Sequence, residues 1–149
     1  MRELPDRALL ALLFVGAAAS GLTPIADGDV FWHLAAGREM VERGALLRSD
    51  VFSVSANGHP WIDVHWLFQL ALFAIHQAFG FAGLVYAKCL IIGIGALLLA
   101  AALDRSARRL FVPLAIGALF FARHLLLVRP VVVTLLFIAF FFYRLERLR

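Results

Sequence analysis

The chain has a single cysteine, Cys89, so no disulfide can form within it, and its place inside an apolar run marks it as a packing residue. Charge is scarce too. Asp, Glu, Lys and Arg make up 16% of the 149 residues, against about a quarter in ordinary soluble domains. With 63% apolar residues and a mean hydropathy of +0.90, this excludes an ordinary soluble domain. Acids are almost absent from the second half. Residues 64–149 hold nine Lys or Arg and two acids, whereas residues 27–63 hold six acids (Asp27, Asp29, Glu39, Glu42, Asp50, Asp63) and three arginines. A basic hydrophobic part around one acidic polar loop is the pattern of a positive-inside membrane protein, so the net charge of +4 does not point to nucleic acid. Also missing are HExxH, paired CxxC, a GxSxG elbow, a phosphate-binding P-loop, an internal repeat and a GxxxG motif in a spanning run.

What is present are apolar runs close to the roughly 20 residues that cross a bilayer. Residues 8–26 read as a first transmembrane helix behind Arg2 and Arg7. A cleaved signal peptide is the competing reading, since Ala17, Ala18, Ala19 and Ser20 would suit a peptidase, but the run stays apolar to Ile25. Residues 29–43 have the period of an amphipathic surface helix, with Val30, Leu34, Gly37 and Val41 on one face and Gly44 able to cap it. Asn57, Gly58 and Pro60 mark turns in a structured loop whose Trp32, Trp61 and Trp66 suit the headgroup interface. Residues 64–80 are apolar, with a narrow stripe of His65, Gln69 and His76. Residues 81–103, 110–128 and 131–145 read as further spans.

Charge then bears on topology. If 64–80 crosses the membrane, Arg105, Arg108, Arg109 and the arginines of the C-terminal end all face outward, against the positive-inside rule. If it is juxtamembrane or re-entrant, both groups lie inside with Arg2 and Arg7, and Arg129 faces the side of the acidic loop. The second arrangement is preferred. The expected fold is an all-α polytopic membrane domain of four to five hydrophobic helices, with an amphipathic surface helix in the first extracytoplasmic loop. Its setting is the cytoplasmic (inner) membrane, with the N-terminus cytoplasmic and loop 27–63 outside. The sequence reads as a fragment or a minimal version of a longer protein.

The order of features resembles a known family. Asp27 and Asp29 precede Trp32, His33 and Leu34, then come GREM at Gly37–Met40, Asp50, Phe52 and Ser53, then Gly58, Pro60 and Trp61, and an aromatic helix start at His65, Trp66 and Leu67. This is similar to the N-terminal part of the GT-C membrane glycosyltransferases of the protein O-mannosyltransferase and aminoarabinose transferase type. It looks closest to a subgroup of uncharacterised polytopic bacterial proteins. The resemblance extends to Arg129, Pro130 and Thr134.

The resemblance implies an inverting transferase that moves a sugar from a polyprenyl-phosphate donor to an extracytoplasmic glycan, lipid or protein acceptor, with no cofactor. Placing GREM on the family's small-Arg-acid-Met stretch implies that Asp29 is the catalytic carboxylate. The family often has a second acid directly after it; Val30 stands there, and Asp27 is the substitute. An acceptor hydroxyl attacking an anomeric carbon does need a carboxylate to take its proton. Capping of the surface helix is the competing role for Asp29. Arg129, with Arg123 and Lys88 behind it, is the candidate for the donor phosphate, and snorkelling to headgroups is its competing role. His33, Trp61 and His65 are the other substrate-binding candidates. Asp29, His33, His59, Asp63 and His65 also form a weaker metal-binding possibility. Two further readings stay open: a truncated non-catalytic protein that binds lipid or a partner membrane protein, and a small transporter or channel.

Overall fold

The computed structural model describes residues 4–148; Arg2 and Arg149, which enter the charge argument, lie outside them. Among the described residues there are five α-helices, one 3-10 turn and no strand: α1 Asp6–Ser20, α2 Asp29–Arg43, α3 Trp66–Ala101, α4 Arg105–Phe121 and α5 Pro130–Glu146. One of them, α3, is long and apolar enough to cross a membrane.

Several boundaries differ from the apolar runs, each for a local reason. Helix α1 stops at Ser20 rather than running to Ala26. Pro24 biases the residue before it to extended backbone, and the chain leaves the helix at Gly21, whose N–H bonds to the Ala18 carbonyl while the Leu22 N–H bonds to that of Ala19. Runs 64–80 and 81–103 form one element, interrupted where Gly80 takes φ 64° and ψ −161°. That region is open essentially to glycine alone, so the element is two helices end to end. Helix α4 begins within the arginine cluster rather than after it, because the Asp104 side chain accepts the Ala107 N–H at 2.8 Å as an N-cap. It ends at Phe121, and Arg123–Leu125 form the 3-10 turn. Helix α5 opens with Pro130, suited to a first turn where its missing N–H costs nothing.

The chain divides into two units: the residues up to Ala26 with those from Val85 onward, and Asp27–Leu84. In the first, Leu13, Ala17, Ala96, Ala100 and Val112 form the buried core. Small residues let the helices approach closely: a Cβ on Gly16 would lie 2.9 Å from the Ile116 side chain, and one on Gly93 would lie 2.7 Å from the Phe14 ring. These contacts fix directions. Asp6 pairs with Arg108, which also donates to the Ala100 carbonyl, while at the other end of α1 Gly21 meets Cys89 and Ile92, and Thr23 meets Lys88. Residues 85–101 therefore run antiparallel to α1, and α4 runs parallel to it.

The outer faces are as apolar as the core. Val15, Phe121, Phe137, Ile138, Phe141 and Leu145 are all exposed. In water such a surface would drive association; in lipid it is a matched solvent. The Asp6–Arg108 pair, 2.8 Å apart with 25% and 17% of each side chain exposed, holds three helix ends together. Arg108→Ala leaves the Asp6 carboxylate without its cation and is expected to destabilise the unit by about 1–2 kcal/mol. Thermal unfolding in detergent followed by helicity checks this. Adding Asp6→Asn should recover part of the loss, and a double variant less stable than Arg108→Ala would contradict it.

In the second unit, α2 packs on the first half of α3. Its buried residues are Val30, Leu34, Ala36, Gly37 and Met40, while Val41 is 55% exposed, contrary to the face expected from the period. The chain turns at Gly44, which adopts φ 63° as a left-handed C-cap, and returns through Leu47 on the side of Ala36 and Met40. That return makes Met40, not Val41, the core residue of the last turn. On the outer face Arg38–Glu42 and Glu39–Arg43 pair at 2.7 and 2.6 Å. Exposed pairs of this kind, screened by solvent, add little to stability.

Candidate functional site

The loop unit positions most of the residues singled out above. Asp27 lies just before α2, and its Oδ1 accepts the Asp29 N–H at 3.2 Å. Gly28 is the N-cap, so Asp29 is the first helical residue and not the cap; the capping role expected of it belongs to Asp27 and Gly28. Asp29 itself is exposed.

One turn further, His33 is half-buried and meets the start of α3. Its ring lies 5.8 Å from the His65 ring and 5.2 Å from Phe68, centroid to centroid. The Gln69 Nε2 group lies 3.4 Å from His33 Nδ1 and donates to Asp63 Oδ1 at 3.1 Å, and the same Asp63 oxygen accepts the His65 N–H. Burial pushes the His33 pKa down, helped by His65 and opposed by Asp29, Asp63 and Asp27. Gln69 is the member of this cluster that the site expectation missed, and Asp63 was expected there only as a metal ligand. The stripe of His65, Gln69 and His76 was the sequence signal for Gln69, since a Gln inside an apolar helix needs a polar partner. His76 departs from the cluster and packs on Phe81, ring centroids 4.6 Å apart.

Trp61 belongs to a separate aromatic group with Trp32 and Phe52, centroids 5.0–6.0 Å apart. The loop that carries it closes on itself: Ser49 bridges Pro60, the Trp61 N–H bonds to the Arg48 carbonyl at 2.9 Å, and the Asp50 N–H bonds to the His59 carbonyl at 2.9 Å. The Asp50 carboxylate accepts from the Ser53 hydroxyl and from the N–H groups of Ser53 and Phe52. Those bonds, the hydroxyl first, hold its pKa below the usual carboxylate value. A carboxyl whose folded pKa is depressed stabilises fully above its unfolded pKa of about 3.9 and loses this as pH falls through the folded value. Tryptophan fluorescence should therefore show a step below about pH 4. Asp50→Asn should remove that step, and a step that survives it would contradict the assignment.

Three of the five metal candidates, His33, Asp63 and His65, come together, while His59 stays in the Trp61 loop. Among the described residues no group of three His, Cys, Asp or Glu is arranged to hold a metal ion. The cationic candidates lie in the other unit. Arg129 is the N-cap of α5, half-buried, with extended backbone. Arg123 lies over the Phe120 ring at 4.6 Å. Lys88, expected behind Arg129 as a phosphate ligand, is 3% exposed and donates to Thr23 Oγ1 at 2.7 Å, which commits it to tying α1's exit to α3. No known protein family, curated protein or solved structure matches this chain.

Proposed function

We propose that the chain is a membrane glycosyltransferase-like protein that moves a sugar from a polyprenyl-phosphate donor to an extracytoplasmic acceptor. The observation that carries this reading is the loop unit, in which Asp27, Asp29 and Asp63 act on the half-buried His33, and Asp63 accepts from the buried Gln69 in the first turn of a helix apolar enough to span a bilayer. In the reaction, an acceptor hydroxyl oxygen bonds to the anomeric carbon from the face opposite the phosphate. The carbon–oxygen bond to phosphate breaks, polyprenyl phosphate leaves as an anion, and the hydroxyl proton passes to Asp29. For the phosphate we propose Arg129 on its chemistry alone, since its guanidinium is a planar fork of donors.

The helices support a membrane placement. Besides α3, the helices α1, α4 and α5 have 15, 17 and 17 residues and expose large apolar side chains. At about 1.5 Å per residue they reach roughly 22–26 Å, short of a 30 Å core but within what local thinning accommodates. We read all four as spans in the inner membrane. Since α1 and residues 85–101 are antiparallel, a cytoplasmic N-terminus leaves no crossing for residues 64–80. The loop unit then faces outward, and the 105–109 arginines face the cytoplasm, as the positive-inside rule asks.

A second reading, a non-catalytic lipid-binding protein, is favoured by one feature. A cavity of about 320 Å³ among α3, α4 and α5 is lined only by apolar residues, among them Ile92, Phe111, Leu126 and Leu135. Reconstitution into liposomes with radiolabelled undecaprenyl-phosphate sugars separates the two. The transferase reading expects label to leave the lipid fraction at a rate proportional to protein. Donor retention without turnover across hexose and pentose donors would support the lipid-binding reading instead.

A further inference from the structure

Gln69 is 2% exposed, yet its Oε1 has no hydrogen-bond partner, and neither has the buried Oδ2 of Asp63. Buried side-chain oxygens nearly always have a donor, so each such orphan calls for an explanation. Here the two belong to one cluster, because Gln69 Nε2 donates to the other oxygen of Asp63. Turning the amide over would not help. It would set Oε1 against the Asp63 carboxylate, acceptor facing acceptor, and so the present orientation is the better one. The amide NH2 also lies 3.4 Å from His33 Nδ1.

Helix α2 packs closely on the turn of α3 that carries Gln69. A Cβ on Gly37 would overlap the Gln69 carbonyl oxygen and lie 2.9 Å from Gln69 C and Phe73 Cβ, so α2 presses directly on the backbone that carries the amide. The cluster lies close to the surface, since the exposed His65 flanks His33.

We propose that Asp63 and Gln69 form a sugar-hydroxyl site, in which Asp63 Oδ2 and Gln69 Oε1 each accept one O–H of a vicinal diol. The choice of a sugar rests on the transferase reading, but the donor count is independent of it. Two unsatisfied acceptors match the two O–H groups of a diol, whereas an ammonium carries three donors on one nitrogen. A metal ion would need more ligands than the described residues bring together.

The test uses the full chain in lipid nanodiscs, titrated with the methyl glycosides of D-mannose, D-glucose and D-galactose and followed by saturation-transfer NMR. At least one glycoside should bind saturably. Binding should weaken about tenfold or more in Gln69→Leu and in the near-isosteric Asp63→Asn, and the permethylated glycoside should not bind. If Gln69→Leu fails to fold, Asp63→Asn decides alone. Absence of binding by all three glycosides overturns the proposal. So does binding unchanged in Asp63→Asn, or binding of methylammonium or Mg²⁺ that depends on Asp63 in place of the sugars. The liposome assay separates this from the transferase reading. Transfer with an unchanged KM in both variants overturns the site and leaves the reading. Glycoside binding lost in both variants, with no transfer from any donor, overturns the reading and leaves the site.

Discussion

Asp29→Asn is expected to slow sugar transfer by at least about 100-fold while leaving the melting temperature of the protein nearly unchanged. The rate effect follows from the proton. A hydroxyl attacking the anomeric carbon must lose it, and an asparagine amide cannot take it; general base catalysis is worth about 10²–10⁴-fold. The small effect on stability follows from the helix start. The N-cap is Gly28, and it is Asp27 Oδ1 that accepts the Asp29 N–H, so the helix start does not use the Asp29 side chain as its cap. Asparagine keeps the size and the hydrogen-bonding oxygen of the carboxylate and gives up its attraction to the helix dipole, about 0.3–1 kcal/mol in an exposed first turn. Asp27→Asn should be milder, because the amide oxygen can still accept the same N–H. Parallel transfer rates and melting curves check both variants. A loss of stability in Asp29→Asn that accounts for its loss of rate would assign Asp29 a structural role alone.

Gly37→Val is expected to disrupt the loop unit, at a cost of about 3 kcal/mol or more. Gly37 is buried, and the space its side chain would need is filled by backbone atoms of Gln69 and the Phe73 Cβ, none of which can rotate away. The helices must separate, and the Asp63–Gln69–His33 cluster comes apart with them. Gly28→Ala is the control, since nothing lies within 4 Å of a Cβ there and the backbone is already helical. Denaturant unfolding followed by tryptophan fluorescence should show a large drop in midpoint for Gly37→Val and little change for Gly28→Ala. Equal midpoints for the two would contradict the packing described. The same contact gives a physical reason for the small residue at the head of GREM.

How much of this was legible in the sequence differs from residue to residue. Helix α2 was readable because its apolar period is strong and Gly44 supplies a left-handed stop, but the swap of Met40 for Val41 in its core was not. That swap depends on where the chain goes after Gly44, which a helical period does not encode. The early end of α1 was signalled by Pro24, against a hydropathy that stays high to Ile25. The start of α4 was signalled by Asp104, whose capping the arginines beside it obscured. For the site, the acids and histidines were visible as residue types, and the stripe containing Gln69 was visible by angle. What the stripe could not show was its partner: His33 lies 36 residues before Gln69, and only the fold brings the two within reach. Lys88 was misjudged for the same reason, since Thr23 lies 65 residues away along the chain.

The central claim is that the loop unit faces the extracytoplasmic side while the arginine-bearing helix ends face the cytoplasm. Its most direct test is thiol labelling in intact cells with a membrane-impermeant reagent, after Cys89→Ala and with single cysteines introduced by Ser53→Cys, Ser106→Cys and Leu148→Cys. Labelling at position 53 alone is the predicted result. Labelling at all three would mean that residues 64–80 cross the bilayer, and would contradict the claim.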